Sequence, residues 1–382
     1  MTLPSISISN KHKLLFGLFT LIGCFELLHT YFNLGSHTHS VNLFALDLLN
    51  INFKIPREVI IILGVLNGLL LYEIARKVFN QDIGFILSGL YFISPWTIYL
   101  ELASSSYLLY LFLALSSLIS LIRFNQSKNK LWLYGFLLLE TMLFYTNFIV
   151  GFLVFILVIF HLFISKHTQS KFIFITQVVL LIPLFFLIIL YKEGSLNIIT
   201  TNLTFFSDIR LVNTANTFQG ELQETNVFRI GRYFENKYTY IFENILRNQF
   251  THLIPVTYFT GQYKLMGFSA STPIYTAFLV PFLFGLVKVL RNTRNIQYLI
   301  FAFLCLTFVS AFSYPSPNLE KSFLVAPVIF LITSLGFENF YNYKGRFMKI
   351  LLFSFLVLIS LQIILTMIDI SLRDPIRYLI KT

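Results

Sequence analysis

The chain has 382 residues, 56% of them hydrophobic and only 12% charged, with 45 Phe and a mean hydropathy of +0.75. Globular domains carry about 25% charged residues, so a soluble enzyme and a secreted module are excluded. The formal net charge of +11 does not imply nucleic acid, because the basic residues sit in short loops at the ends of apolar runs, where membrane topology puts them.

Taken in order, about eleven apolar runs cover 14–32, 58–75, 83–100, 107–122, 131–147, 148–164, 173–191, 273–290, 296–312, 323–340 and 350–370. A hydrocarbon core about 30 Å thick needs about 20 apolar residues per helix, and a helix satisfies its own backbone there. The expected class is all-α: a polytopic integral membrane protein with about eleven transmembrane or membrane-embedded helices. Lys11 and Lys13 precede a run long enough to span, so that run reads as an anchor rather than a cleaved leader. The runs at 131–147 and 148–164 meet at Tyr145-Thr146-Asn147 and read as a tight hairpin. Cys24 and Cys305 both lie in apolar runs and give neither a disulfide framework nor a metal-binding spacing.

Seven runs make an N-terminal membrane region, 1–191, and four make a C-terminal one, 273–382. The intervening segment, 192–272, is polar. Residues 195–231 read as irregular loop. Over 232–250, Phe234, Tyr238, Ile241, Phe242, Ile245 and Leu246 recur at helical spacing with charged residues opposite, which predicts an amphipathic helix on the outer membrane surface. Pro255, Gly261 and Gly267 mark 255–272 as a loop returning to the bilayer. With the N-terminus inside, the inner loops hold fifteen Lys and Arg, and the short outer segments with the C-terminal tail hold six. That bias predicts a cytoplasmic N-terminus and an external 192–272.

Ionisable groups at membrane depth are functional hypotheses because they are expensive there. Glu26, Glu73, Glu101 and Glu140 qualify. Glu73, ahead of Arg76 and Lys77, reads as a paired interfacial charge, and Glu26 and Glu140 as paired within the bundle. Glu101 ends the third run on the outer side. The first outer loop carries His37, His39, Asp47, Lys54 and Arg57. Two His at i and i+2 make a weak metal signal, and no cofactor is expected; a divalent metal stays open without a ligand pattern to indicate it. Asp47 lies in an apolar run, Leu43–Leu49, where desolvation raises a carboxyl pKa; a salt bridge to Lys54 or Arg57 is the alternative. Lys321 stands where the tenth run starts on the outer face, placed either to hold an anion or to snorkel.

Several stretches resemble the GT-C class of polytopic glycosyltransferases. They are Arg57-Glu58 through Val78-Phe79, Gly84, and the segment Ser94-Pro95-Trp96-Thr97-Ile98-Tyr99. Later stretches agree: Phe250-Thr251-His252-Leu253, Pro281-Phe282-Leu283-Phe284-Gly285-Leu286, and Ala326-Pro327. The branch most similar is the bacterial aminoarabinose-transferase and protein-mannosyltransferase group.

The resemblance implies a GT-C-like fold and a bacterial cell-membrane protein. It implies transfer of a sugar from a polyprenyl-phosphate donor to an acceptor on the outer face. An Asp of the first outer loop, here Asp47, would act as general base; Glu101 is a second candidate catalytic carboxylate by its position at the outer end of the third run, since Leu102 and Ser106 stand where the family often has an Arg and a Glu. Lys321, Arg57, His252 and His39 would bind substrate. The implied partners are a lipid-linked sugar donor, membrane lipids and an unspecified acceptor, with no nucleic acid. The chain departs from the family where an Asp-Glu pair follows the first span: it reads Phe32-Asn33-Leu34-Gly35-Ser36-His37-Thr38-His39. Two other readings stay open: a non-catalytic relative that binds lipid-linked saccharide or a partner in envelope assembly, and a transporter or flippase. Against the last, no internal repeat is visible.

Overall fold

The computed structural model describes residues 38–41, 53–102, 105–165, 237–260, 264–265, 268–269, 272–291, 293–311, 319–342 and 353–365, with single positions at 213, 217, 350 and 368. The runs expected at 14–32 and 173–191, with Glu26, lie outside the described residues, as does Asp47.

The first helix, α1 (Arg57–Val78), opens with Glu58 and closes with Arg76 and Lys77, which suits the helix dipole. Helix α2 (Gln81–Ile93) is capped by Asn80, whose side chain accepts from Ile83 N–H at 2.8 Å. Ser94 is extended and Pro95 begins α3 (Pro95–Leu102), so the pair bends by 55°. A proline fits the first turn of a helix and pushes the residue before it out of the helical region. Next come α4 (Tyr107–Ser127), α5 (Lys130–Thr146) and α6 (Phe148–Ser165), the last two meeting at Asn147.

Beyond 236 the order is α7 (Lys237–Leu253), the single turn α8 (Thr257–Thr260), α9 (Leu279–Leu290), α10 (Thr293–Ala311), the short α11 (Leu319–Ser322), α12 (Ala326–Asn342) and α13 (Phe353–Leu365). Short 3-10 turns at Thr276–Phe278 and Phe323–Val325 lead into α9 and α12.

Each apolar run within the described residues is helical. By length and hydropathy, three helices can cross a membrane: Glu58–Val78, Tyr107–Ser127 and Phe323–Phe340. The bent pair α2–α3 makes a fourth if it counts as one span. The apolar stretches Ile149–Phe160, Thr276–Leu290 and Phe353–Leu365 are shorter, so the described residues do not establish a count of eleven spans.

The described residues are predominantly helical, as expected, with one small addition. Two short antiparallel hairpins are present: β1 (Thr38–Val41) with β2 (Phe53–Pro56), and β3 (Lys264–Leu265) with β4 (Phe268–Ser269). Both fall in stretches read as loop, and strands of two to four residues are too short for period-two alternation to stand out. The expected amphipathic helix is present as α7 over Lys237–Leu253, and residues 232–236 lie outside the described residues. It packs along α10: Ile241 and Ile245 cluster with Ala311, and Gln249 Nε2 donates to Thr307 Oγ1 at 2.8 Å. Phe242 and Phe250, on another face, are exposed.

One core joins α1–α4 to α9 and α12. Its tightest crossing is glycine on glycine. A methyl group on Gly285 of α9 would overlap the Ile332 carbonyl of α12, and one on Gly336 of α12 would overlap the Pro281 carbonyl of α9. Small residues let membrane helices approach backbone to backbone, where dispersion replaces the missing hydrophobic force.

At one end of the bundle, Glu73 accepts from Arg76 at 2.6 Å and lies 3.7 Å from Arg123 of α4. Glu338 of α12 joins Lys288 of α9 at 2.6 Å and Asn80 at 2.9 Å. Arg76, Lys77, Arg123 and Lys288, four of the basic residues that the charge bias assigned to one side, therefore lie at one end. Partly exposed pairs contribute about 0–1 kcal/mol each, so they set register more than stability.

The glycine crossing gives a prediction. Gly285→Ala and Gly336→Ala should each cost about 1–3 kcal/mol, the range for overpacking, while Gly135→Ala, whose added carbon would meet nothing closer than Ser120 Oγ at 3.9 Å, should be close to neutral. Thermal unfolding of the purified protein checks it; equal midpoints for all three would contradict the packing.

Candidate functional site

The opposite end is organised by the break at Ser94. Pro95 carries no N–H, and the carbonyl of Pro273, ahead of α9, accepts from both Trp96 N–H (2.9 Å) and Ser94 Oγ (3.2 Å). A carbonyl has two lone pairs, and both are used here. The Trp96 ring is fully buried, stacked on Tyr258 at 5.2 Å and edge-on to Phe323 at 5.7 Å. The Ser-Pro-Trp segment that carried the family resemblance is thus the point where α3, the return loop and the entry to α12 meet.

His252, in the last turn of α7, lies against the same cluster and is 1% exposed. Its Nε2 is 2.6 Å from Ser310 Oγ of α10, and its Nδ1 is 3.3 Å from the Tyr258 hydroxyl and 3.4 Å from Ser322 Oγ. Ser322 donates to Ser310 at 2.8 Å, and Tyr258 donates to the His252 carbonyl at 3.2 Å. An imidazole protonated at Nδ1 fits this network, with Ser310 donating to Nε2. Burial holds the imidazole pKa down to about 4, so His252 is neutral near pH 7. It therefore contributes no charge of its own to a phosphate. It fixes Ser322, the neighbour of Lys321.

The structure places the sequence-predicted residues unevenly. Lys321 is half-buried in α11, directly before Ser322. Glu101, in the last turn of α3, is 1% exposed, with its carboxyl against Gly64 of α1. Arg57 opens α1 and His39 pairs with Ile55 across the first hairpin, but their side chains lie outside the described residues, as does Asp47, which falls between β1 and β2 in sequence. The first hairpin, the N-terminus of α1, the end of α3 and the start of α12 share this end of the bundle. Glu73 is paired as expected. Glu140 is not: it is buried, and neither carboxyl oxygen has a partner among the described residues. Among those residues no group of three or more His, Cys, Asp or Glu is positioned to hold a metal ion.

Sequence reading missed Ser310, Ser322 and Tyr258 around His252, and Asn67, Tyr91 and Thr97 near Glu101. A weak signal existed for the second set: Asn67 interrupts an apolar run, and Thr97 and Glu101 are one helical turn apart.

The His252 network predicts acid sensitivity. The folded pKa is near 4 and the unfolded value about 6.5, so the unfolded chain binds the proton first as pH falls. The contribution is complete above pH 6.5, is lost progressively from there towards pH 4, and amounts to roughly 3 kcal/mol. Hydrogen exchange across α7 should speed up over that window, and His252→Gln should flatten the dependence. An unchanged profile in the variant would remove His252 as the cause.

No protein-family model matches the chain, and no curated protein matches it. Among solved structures it is similar to the Archaeoglobus fulgidus oligosaccharyltransferase, crystallised in complex with Zn and sulfate, at 12% identity and a TM-score of 0.50. The likeness covers 92% of this chain and 52% of that one, so the chain spans about half the length of that protein. At such identity the likeness concerns the fold. The likeness therefore shows a fold shared with that oligosaccharyltransferase, and among the described residues three helices are long and apolar enough to cross a membrane.

Proposed function

We propose that the protein is a membrane glycosyltransferase that moves a sugar from a polyprenyl-phosphate donor to an acceptor on the outer face, with the Trp96 end of the bundle external and the Glu73 end cytoplasmic. The observation that carries this reading is the fold shared with an oligosaccharyltransferase. It is supported by the convergence at one end of α11, with Lys321, and the N-terminus of α1, with Arg57.

In the proposed reaction the acceptor hydroxyl attacks the anomeric carbon as the bond from that carbon to the phosphate oxygen breaks. Asp47 takes the hydroxyl proton. The polyprenyl phosphate leaves with the bonding pair, and Lys321 and Arg57 hold its developing charge. His252 acts as a positioning residue through Ser322. No resident metal is assigned a step.

The missing Asp-Glu pair after the first run favours one second reading, a non-catalytic relative that binds lipid-linked saccharide. A transfer assay with polyprenyl-phosphate sugars separates the two. Asp47→Asn should reduce transfer by 10²-fold or more, the scale of general base catalysis, and leave donor binding intact. Lys321→Ala should weaken donor binding itself. Full transfer by Asp47→Asn would exclude it as the base, and donor binding without transfer in the unaltered protein would favour the second reading.

Orientation has its own test. A cysteine placed at 264 should react with an impermeant reagent in intact cells and one at 128 should not; the reverse pattern would invert the topology.

A further inference from the structure

Among the described residues eight buried side-chain oxygens lack any hydrogen-bond partner, and five of them belong to four residues on three adjoining helices. They are Asn67 Oδ1 on α1, the Tyr91 hydroxyl on α2, and Thr97 Oγ1 with both Glu101 oxygens on α3. All four residues are at least nine-tenths buried. Buried polar groups are almost always paired, and a cluster of exceptions calls for a missing ligand. Glu140, by contrast, contributes its two oxygens alone, with no other orphan oxygen on α4, α5 or α6.

The geometry draws the four together. The Glu101 carboxyl lies against Gly64, where a methyl group would overlap it. Asn67 follows Gly64 by one turn of α1, and Thr97 precedes Glu101 by one turn of α3, so each pair shares a face. The Tyr91 hydroxyl feels the Glu101 charge and lies beside the Asn67 side chain, within reach of a weak hydrogen bond from it. The orientation of Asn67 is fixed, because its Nδ2 donates to the Leu108 carbonyl at 2.9 Å, which turns Oδ1 away from α4.

We propose that Glu101, Asn67, Tyr91 and Thr97 form a binding site for one hard monovalent cation, sodium in the first instance, between α1, α2 and α3. Neither Glu101 oxygen bonds to another oxygen of the set, so a proton on Glu101 would leave the others as they are, whereas a cation takes oxygens from several directions. The donor set is oxygen alone, without nitrogen or sulfur, which selects a hard ion. Its single carboxylate balances one positive charge; calcium and magnesium sites of protein ligands use more carboxylates or retained waters. An uncompensated carboxylate at this depth would be costly. The ion would tie the end of α3, just beyond the Trp96 anchor, to α1. This inference does not depend on the transferase reading.

The test is thermal unfolding of the purified full-length protein in detergent, titrating NaCl into choline chloride at constant ionic strength, with sodium binding followed directly by ²³Na NMR. A specific site gives a saturable rise in the midpoint that choline does not give. Glu101→Gln should abolish the rise, and Glu140→Gln should keep it. Thr97→Val should raise the half-saturating sodium concentration by about tenfold, the equivalent of one lost ligand; it carries the test if Glu101→Gln fails to fold. Lowering pH should raise the half-saturating concentration, because protons compete for Glu101. Midpoints equal in NaCl and choline chloride would overturn the proposal, and so would a sodium effect that survives in Glu101→Gln. Stability that follows pH alone would assign the site to a proton or water and overturn it as well.

Discussion

One backbone break governs the architecture. A helix interrupted inside an apolar bundle must find new partners for its freed groups, because lipid supplies none. At Ser94-Pro95 the proline removes one N–H from the account, and the Pro273 carbonyl takes the next, together with the Ser94 hydroxyl. That contact spans 179 residues in sequence. It commits the entry of α9 to the end of α2, aims α3 across the bundle, and presents Trp96 to Tyr258 and Phe323. Replacing the break by a straight helix would remove the reason for the return loop to dock there.

The two ends of the bundle then differ in kind. One is held by ion pairs around Glu73 and Glu338, screened and partly exposed. The other is held by stacked aromatics and a neutral imidazole network around Trp96 and His252.

Much of the helical skeleton was legible because apolar run length is a strong signal. The runs at 58–75 and 107–122 became α1 and α4 with small extensions at their polar ends. The bend at 94 was visible only as a proline, since nothing local reveals that Pro273 would complete it. The hairpin of Thr38–Val41 with Phe53–Pro56 was hidden because strands this short lack a period to read. Glu73 could be assigned correctly because its partners, Arg76 and Lys77, are one turn away on the same helix. Glu101 and His252 could not, since their surroundings come from three separate helices and from α8, α10 and α11. The sequence named both residues but not the side chains that surround them.

The account stands on the Trp96 end being where the lipid phosphate binds. The most direct measurement is photocrosslinking of the purified protein with a polyprenyl phosphate carrying a photoreactive group next to the phosphate, followed by peptide mapping. The account predicts adducts in peptides containing Lys321 and residues near Arg57, suppressed by unlabelled donor and reduced in Lys321→Ala. Adducts confined to peptides around Glu73, Arg123 or Lys288, at the ion-paired end, would contradict it.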